Sequence, residues 1–507
     1  MSRAWLLGLL CAGALALLLG SHEASARPGG GQSYSGGSRS SGGSSSSGSR
    51  SSGGGGWSSS GGSSGGSGGG GGDSPVLLLL VLGVCLFVMA NGKTRKYFRG
   101  QVLEREPEVW STVRPVPPSA RRDLQKIRAT DPDFSVISFE DFLQGLYSRV
   151  QDARGRGDTS GIAPYLAPAL QRAIEQHRGP VARVEAVIVG ALEFKRYAGP
   201  TAYVPAHQVW VSFDANYTEV LRDGTTRTFW VVEHWRLRRD AQARTRSPEA
   251  VAAFNCPSCG AAAGYTNGVC GYCGQKVDEG RFEWSVVEIQ TVRKEPRGPG
   301  LGHHAPEQGT TLRTISSPTL KGDLEALRAR NPSFDLGAVE RRLHLIHHEL
   351  NVGWTAQDWR RARPFTSDPL FQSQVYWMDA YRRAGLINVT ENARVVRLEV
   401  VAVMQDRWYE ALTFRVFATG LDYTVASADR RLVSGSNRQE RPFSEYWTLI
   451  RSAGVDRPTL DRPNCPNCGA ALDVNMAGEC KHCESRIISG EFDWVLSRIE
   501  QDEAYAG

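Results

Sequence analysis

The chain has 507 residues, room for two or three ordinary domains, and its net charge of +6 is the small excess of 59 Lys and Arg over 53 Asp and Glu. Charges of both signs at that density give no compositional ground for a nucleic-acid binder. Of ten cysteines, eight stand in C-x-x-C pairs, and the other two, Cys11 and Cys85, lie in apolar stretches as small hydrophobes.

In chain order, Arg3 precedes an apolar core from Ala4 to Leu19, and Ala24-Ser25-Ala26 supplies an A-x-A cleavage site, so residues 1–26 are predicted to be a signal peptide. Leu10 stands where a lipid-attachment motif takes Gly or Ala, which argues against lipidation of Cys11. Residues 27–73 are almost wholly Gly and Ser, with no G-x-y period, and predict a disordered tether that buries no core. Val76 to Ala90 is an uncharged apolar run, shorter than the ~20 residues that span a bilayer, but Gly and Ser precede it and no core is at hand to bury it. A transmembrane helix is therefore predicted over 74–92. Lys93, Arg95, Lys96 and Arg99 open a basic juxtamembrane linker over 93–122, and the positive-inside rule then places everything C-terminal in the cytoplasm. The chain reads as a single-pass membrane protein with its C-terminal domains in the cytoplasm.

From Asp123 onward the sequence is written twice, over 123–290 and 323–501, joined by a Pro/Gly-rich linker over 291–322. Asp123 to Phe134 matches Asp323 to Phe334, the strand around Glu233-His234-Trp235 matches Glu445-Tyr446-Trp447, and Phe282 to Ile289 matches Phe492 to Ile499. In the first copy Phe139, Phe142, Leu143, Leu146 and Val150 follow the helical period, and a second helix is predicted from Pro164 to His177, with Leu166, Leu170 and Ile174 on one face. Strands are predicted over Val184–Phe194, His207–Val220, Thr228–Leu237 and Phe282–Ile289, with Asp223-Gly224 as a turn. The second copy repeats the order: helices over Val339–Leu350 and Asp368–Ala384, then strands over Ala393–Met404, Tyr409–Leu421, Pro442–Arg451 and Phe492–Ile499. Helices followed by an antiparallel sheet define an α+β class.

Between the last two strands of each copy stand the cysteine quartets: Cys256, Cys259, Cys270 and Cys273 in a ribbon over 254–276, and Cys465, Cys468, Cys480 and Cys483 in a ribbon over 463–487. Spacings of C-x2-C-x10-C-x2-C and C-x2-C-x11-C-x2-C suit four thiolates around one tetrahedral ion, so the sequence predicts two structural Zn²⁺ sites with no coordination position left for substrate. Iron uses similar knuckles, and disulfides would replace the metal if the topology were inverted. Neither ribbon carries a basic patch with interleaved aromatics, so no nucleic-acid partner is expected. His344, His347, His348 and Glu349 lack the H-E-x-x-H arrangement and are read as a partly exposed helix face. Glu233 and Glu445 lie mid-strand, each a possible acid or base if the sheet encloses a pocket. No nucleophile motif or phosphate loop accompanies them, so no catalytic residue is expected.

The Asp-Pro-x-Phe entry, the two helices, the Phe-x-x-x-Trp strand ending at Trp447 and the closing strand after each ribbon resemble the C-terminal domain of the mitochondrial import inner membrane translocase subunit 44 family and its bacterial relatives. The bacterial relatives also share the signal peptide, the Gly-rich tract and the short span. The resemblance implies two tandem cystatin-like cones, related to the nuclear-transport-factor-two fold, in which helices lie on a curved sheet. It implies association with the inner membrane, binding of anionic lipid such as cardiolipin, and tethering of protein partners. The ribbons are a departure from the family. The expected function is a membrane-anchored, non-enzymatic scaffold, with small-ligand binding or catalysis in the cone as the alternative. Arg360, Arg361 and Arg363 are candidates for a second contact with anionic lipid.

Overall fold

The computed structural model describes residues 113–114, 119–176, 179–262, 264–266, 268–278, 280–296, 309–502, 505 and 507. The expected signal peptide, tether, transmembrane helix and juxtamembrane basic cluster lie outside these residues, and among the described residues no helix is long and apolar enough to cross a membrane.

Helix α1 (Val136–Arg156) starts where the Ser135 hydroxyl accepts the Ser138 amide at 3.1 Å and ends at Gly157, whose φ of 65° is left-handed. Its buried stripe contains Phe139, Phe142, Leu143, Leu146 and Val150, the residues picked out by the helical period. Helix α2 spans Pro168–Gln176 and so begins later than Pro164. The cause is tertiary: Leu166 is extended and bridges in parallel to Val286, and the Ala167 amide donates to the Val286 carbonyl at 2.9 Å. Proline at N1 then opens the helix, since its missing N–H would be unpaired there in any case.

Four antiparallel strands follow in sequential order: β1 (Val181–Ala198), β2 (Ala206–Leu221), β3 (Thr226–Asp240) and β4 (Ser285–Glu295). Alternation directs Val209, Val211, Phe213, Trp235 and Leu237 toward α1 and the opposite set toward the helix-free face. Between β3 and the first ribbon lies the short helix α3 (Pro248–Ala252).

The second half runs α4 (Leu320–Arg330), α5 (Leu336–Thr355), α6 (Asp368–Arg383), then β5 (Leu386–Gln405), β6 (Tyr409–Ala426), β7 (Leu432–Ser452) and β8 (Val495–Gln501), again antiparallel and sequential. Asp335 caps α5 by accepting the Gly337 amide at 3.0 Å. Strands β5 to β7 outrun their apolar pattern because their distal ends pair with each other while presenting polar residues to water. The molecule is α+β, with helices on one face of each of two four-stranded sheets.

The halves are bonded across their junction. Arg128 donates to the Gln405 carbonyl at 3.1 Å, Trp408 Nε1 to the Asp133 carbonyl at 2.9 Å, and Arg121 and Arg498 converge on Glu140. Ile137 of the first half packs into an apolar cluster with Tyr409, Ala411 and Ile450 on the helix-free face of the second sheet. The remainder of that face is closed by the chain's own segments. Arg415, fully buried, donates to the Leu312 carbonyl at 3.0 Å and to Thr314 Oγ1 at 2.8 Å, and its Nε lies 3.0 Å from the buried Asp502 carboxylate. The Tyr446 hydroxyl accepts the Ile315 amide at 2.8 Å and its ring stacks on Tyr505 at 3.8 Å between centroids.

Candidate metal centres and buried acids

Each quartet is gathered by two tight turns. In the first ribbon the Gly260 amide donates to the Cys256 carbonyl at 2.8 Å and the Gly274 amide to the Cys270 carbonyl at 2.9 Å. In the second, the Gly469 amide donates to Cys465 at 2.9 Å and the Glu484 amide to Cys480 at 2.7 Å. The residue after the second cysteine of each turn must be left-handed, and φ is 80° at Gly260, 67° at Gly274, 75° at Gly469 and 58° at Glu484. Glutamate at the last position carries the Cβ penalty that glycine escapes. Glu484→Gly should therefore stabilise the second ribbon by about 1 kcal/mol, read as a higher chelator concentration needed to release its metal. No gain, or a loss, would mean that the Glu484 side chain has a role of its own.

The four sulfurs of each quartet, Cys256, Cys259, Cys270 and Cys273 and then Cys465, Cys468, Cys480 and Cys483, all lie within 4.8 Å of one another. Cys259 and Cys270 are 3.9 Å apart, Cys465 and Cys483 3.8 Å, and Cys468 and Cys480 4.0 Å. A tetrahedron with metal–sulfur bonds of ~2.3 Å has edges of about 3.8 Å, whereas a disulfide needs about 2.05 Å. All eight thiols are free, and either quartet can hold a metal ion.

The electrostatics also favour a cation. Amides of Cys273 and Tyr272 directed at the Cys270 sulfur lower its pKa to about 7, and the Ser485 amide lowers Cys483 to about 6. Burial pushes Cys465 up to about 12. Thiols packed this closely cannot all ionise unless a positive charge joins them.

The ribbons have small apolar clusters of their own around Val277 and around Val474, Ile487 and Ile488, but they are clamped to the domains rather than projecting freely. Phe254, just before the first quartet, stacks on Phe142 of α1 at 5.5 Å, and the Tyr165 hydroxyl donates to the Asn255 carbonyl at 2.7 Å. In the second half Arg363 is the clamp. It is 2% exposed, donates through Nε to the Met476 carbonyl at 2.9 Å and pairs with Asp368, which also receives Arg486. Arg363 is thus corrected from a lipid-facing candidate to a structural residue, because its guanidinium is consumed inside the fold. Arg361 pairs with Glu349 at 2.8 Å and Arg360 with Asp358 at 2.7 Å, both at the surface. Sequence reading missed Phe254 and Arg363 as ribbon anchors; their positions beside a quartet and before an N-capping Ser-Asp-Pro were the available signals.

The histidine helix divides. His344 and His348 are exposed, while His347 is buried 5.7 Å from the Trp447 ring and within 3.4 Å of Asn351 Nδ2. Glu233 and Glu445 face the helices, each accepting the indole N–H two residues on: Trp235 at 3.0 Å and Trp447 at 2.9 Å. Gln151 and Gln501 donate a second bond to each, at 3.2 Å and 3.1 Å. Burial raises the Glu233 carboxyl above its ordinary range. Between sheet and helix in the first half, Tyr147 stands 4.7 Å from Phe213 and 5.2 Å from Trp235, so side chains fill the space a ligand would need.

No curated protein matches the chain. Residues 320–460, from the first turn of α4 through β7 and ending before Cys465, match the family model of the Tim44-like domain.

Proposed function

We propose that the chain is a membrane-anchored, non-enzymatic scaffold in which both halves are Tim44-like domains and each ribbon holds one structural Zn²⁺. The observation that carries this reading is the pairing of closed four-sulfur sites with filled cone interiors: Tyr147, Phe213 and Trp235 in the first half, and His347 against Trp447 in the second. Neither centre offers an open coordination position, and the buried Glu233 and Glu445 have their acceptors occupied by indole and amide donors. Folds of this kind then act through their surfaces. The predicted span, followed by Lys93, Arg95, Lys96 and Arg99, would hold those surfaces at the cytoplasmic face of an inner membrane and supply the contact with anionic lipid. Protein translocation or membrane-protein assembly is the setting that the Tim44-like match suggests.

Crosslinking the full chain in native membranes, with residues 1–122 alone as control, tests this. Discrete protein adducts should form only with the full chain, and a reporter active only in the periplasm should be silent when fused after Arg122. Adduct patterns identical to the control, together with turnover of a small-molecule substrate by the purified chain, would replace the scaffold with an enzyme.

A further inference from the structure

The helix-free faces of the two sheets differ in one respect that bears on partners. Counting from Trp447 and Trp235, Tyr446 occupies the position of His234, Ile450 that of Arg238, and Arg415 that of Ser212. Tyr446 and Arg415 are 0% exposed and Ile450 is 3% exposed, because the first half's entry segment, the linker and residues 502 and 505 lie over them. On the first sheet His234 is exposed and Ser212 and Arg238 are half-buried. That face is closed only at the end away from the β1–β2 hairpin, where Ile188 joins the core cluster of the second half beside α6 and Asn216 and Trp230 are 1% exposed; toward the hairpin, no described segment lies over it.

The chemistry of the open face is specific. The Arg196 guanidinium lies 4.6 Å over the Trp210 ring, and Arg236 stands opposite Trp210 in the register. Arg236 is committed to Glu288 at 2.9 Å, whereas Arg196 and Arg238 have no carboxylate partner among the described residues. At the edge of this face the β1–β2 hairpin presents Tyr203, 96% exposed. The corresponding hairpin of the second sheet carries Trp408, which is spent on the contact with Asp133. The exposed Tyr203 and Arg196 and the half-buried Trp210 and Arg238 are of the residue types that anchor protein interfaces.

We propose that this face of the first sheet, built on Arg196, Trp210, Arg238 and Tyr203, docks an acidic segment of a partner protein. The segment would lay an aliphatic side chain against Trp210 and carboxylates on Arg196 and Arg238. On the second sheet an aliphatic residue and an acid of one segment, Ile137 and Glu140, play comparable parts, but Arg498, which receives Glu140, stands where the first sheet has Glu288, so the register on the first sheet would differ. A second copy of this chain fits poorly, because its matching segment has Gly337 in place of Ile137 and Arg341 in place of Asp141. It would bring no apolar knob and an added cation to a face that already holds unpaired arginines. Glu288 and Asp240 on the same strands disfavour a continuous polyanion such as nucleic acid. This proposal rests on the scaffold reading and names one of its docking surfaces.

The test uses the full chain in nanodiscs of neutral lipid, titrated with a fluorescent helical peptide of about four turns bearing Glu-Ile repeats. Its Lys-Ile counterpart and a single-stranded oligonucleotide of similar length are the comparison probes. Saturable binding of the Glu-Ile peptide is expected, weakened about tenfold or more by Arg196→Glu with Arg238→Glu and unchanged by Arg394→Glu, a surface arginine paired with Glu440 on the other sheet. All three substitutions lie at exposed or half-buried sites, and unaltered hydrogen-exchange protection of β2 and β3 checks that the variants fold. Peptide binding indifferent to the double substitution, preference for the oligonucleotide, or self-association removed by the same substitution would each overturn the proposal. If membrane crosslinks persist in the double variant while peptide binding is absent from the native chain, this surface is wrong and the scaffold reading stands.

Discussion

Full-length chain purified under reducing conditions is expected to carry two zinc ions, one per quartet, and to lose both to a strong chelator with local rather than global unfolding. Zinc on four thiolates contributes on the order of 10 kcal/mol to a small ribbon that has almost no core of its own. Here that core is a few residues around Val277 in one ribbon and Val474, Ile487 and Ile488 in the other. Removing the ion leaves closely packed thiols whose mutual repulsion on ionising has no counter-charge. Hydrogen-exchange protection should vanish over residues 255–278 and 464–488 and persist in β1–β3 and β5–β7, whose ladders do not involve the ribbons. The clamps make the effect reach slightly further. Phe254 should loosen from Phe142, and Arg363 should lose its Met476 acceptor. Cys256→Ser and Cys465→Ser should each lose one ion and unfold only its own ribbon. Elemental analysis giving iron, or no metal with the thiols oxidised to disulfides, would overturn the assignment.

The second large effect is expected at Arg415. Both it and Asp502 are buried, with side-chain exposures of 0% and 1%, and the guanidinium also serves Leu312, Thr314 and Ser444. Arg415→Ala leaves the Asp502 carboxylate in the interior with no cation and should cost about 3–5 kcal/mol. Arg415→Met with Asp502→Asn, which removes both charges and keeps volume, should recover a large part of that loss. The comparison is Arg394→Ala: its partner Glu440 sits at the surface, the side chains being 56% and 36% exposed, and the change should cost less than about 1 kcal/mol. Urea unfolding followed by hydrogen exchange in β6 reads all three. Equal costs for Arg415→Ala and Arg394→Ala would show that the buried pair contributes no more than a surface one.

How much was legible in the sequence depended on the range of the interactions involved. The quartets were legible because their chemistry is local: two short turns per site, each written as C-x-x-C with glycine or its Glu484 substitute after it. Helices α1 and α5 were legible because a buried stripe repeats every three or four residues. The start of α2 was not, since Leu166 is held extended by Val286, a residue of the last strand. Nor was the fate of Arg363. Arginine beside Arg360 and Arg361 looks like a solvated cluster, and only the arrival of Met476 and Asp368 from other parts of the chain shows that it is enclosed. The junction of the halves was likewise invisible, because Arg128, Asp133 and Ile137 carry no local sign of partners in the second sheet.

That junction bears on the order of assembly. Its bonds close very long loops: 277 residues separate Arg128 from Gln405 and 275 separate Trp408 from Asp133. Each sheet, by contrast, is built from strands adjacent in sequence, with low closure entropy. Local meanders tend to form early and long-range contacts late, so most of each sheet is expected to protect its amides from exchange during refolding before the contacts between the halves form. Until docking, Ile137 and the Tyr409–Ala411–Ile450 patch are bare to water, and the sticky stage of this protein's life is the interval in which two finished halves have yet to meet.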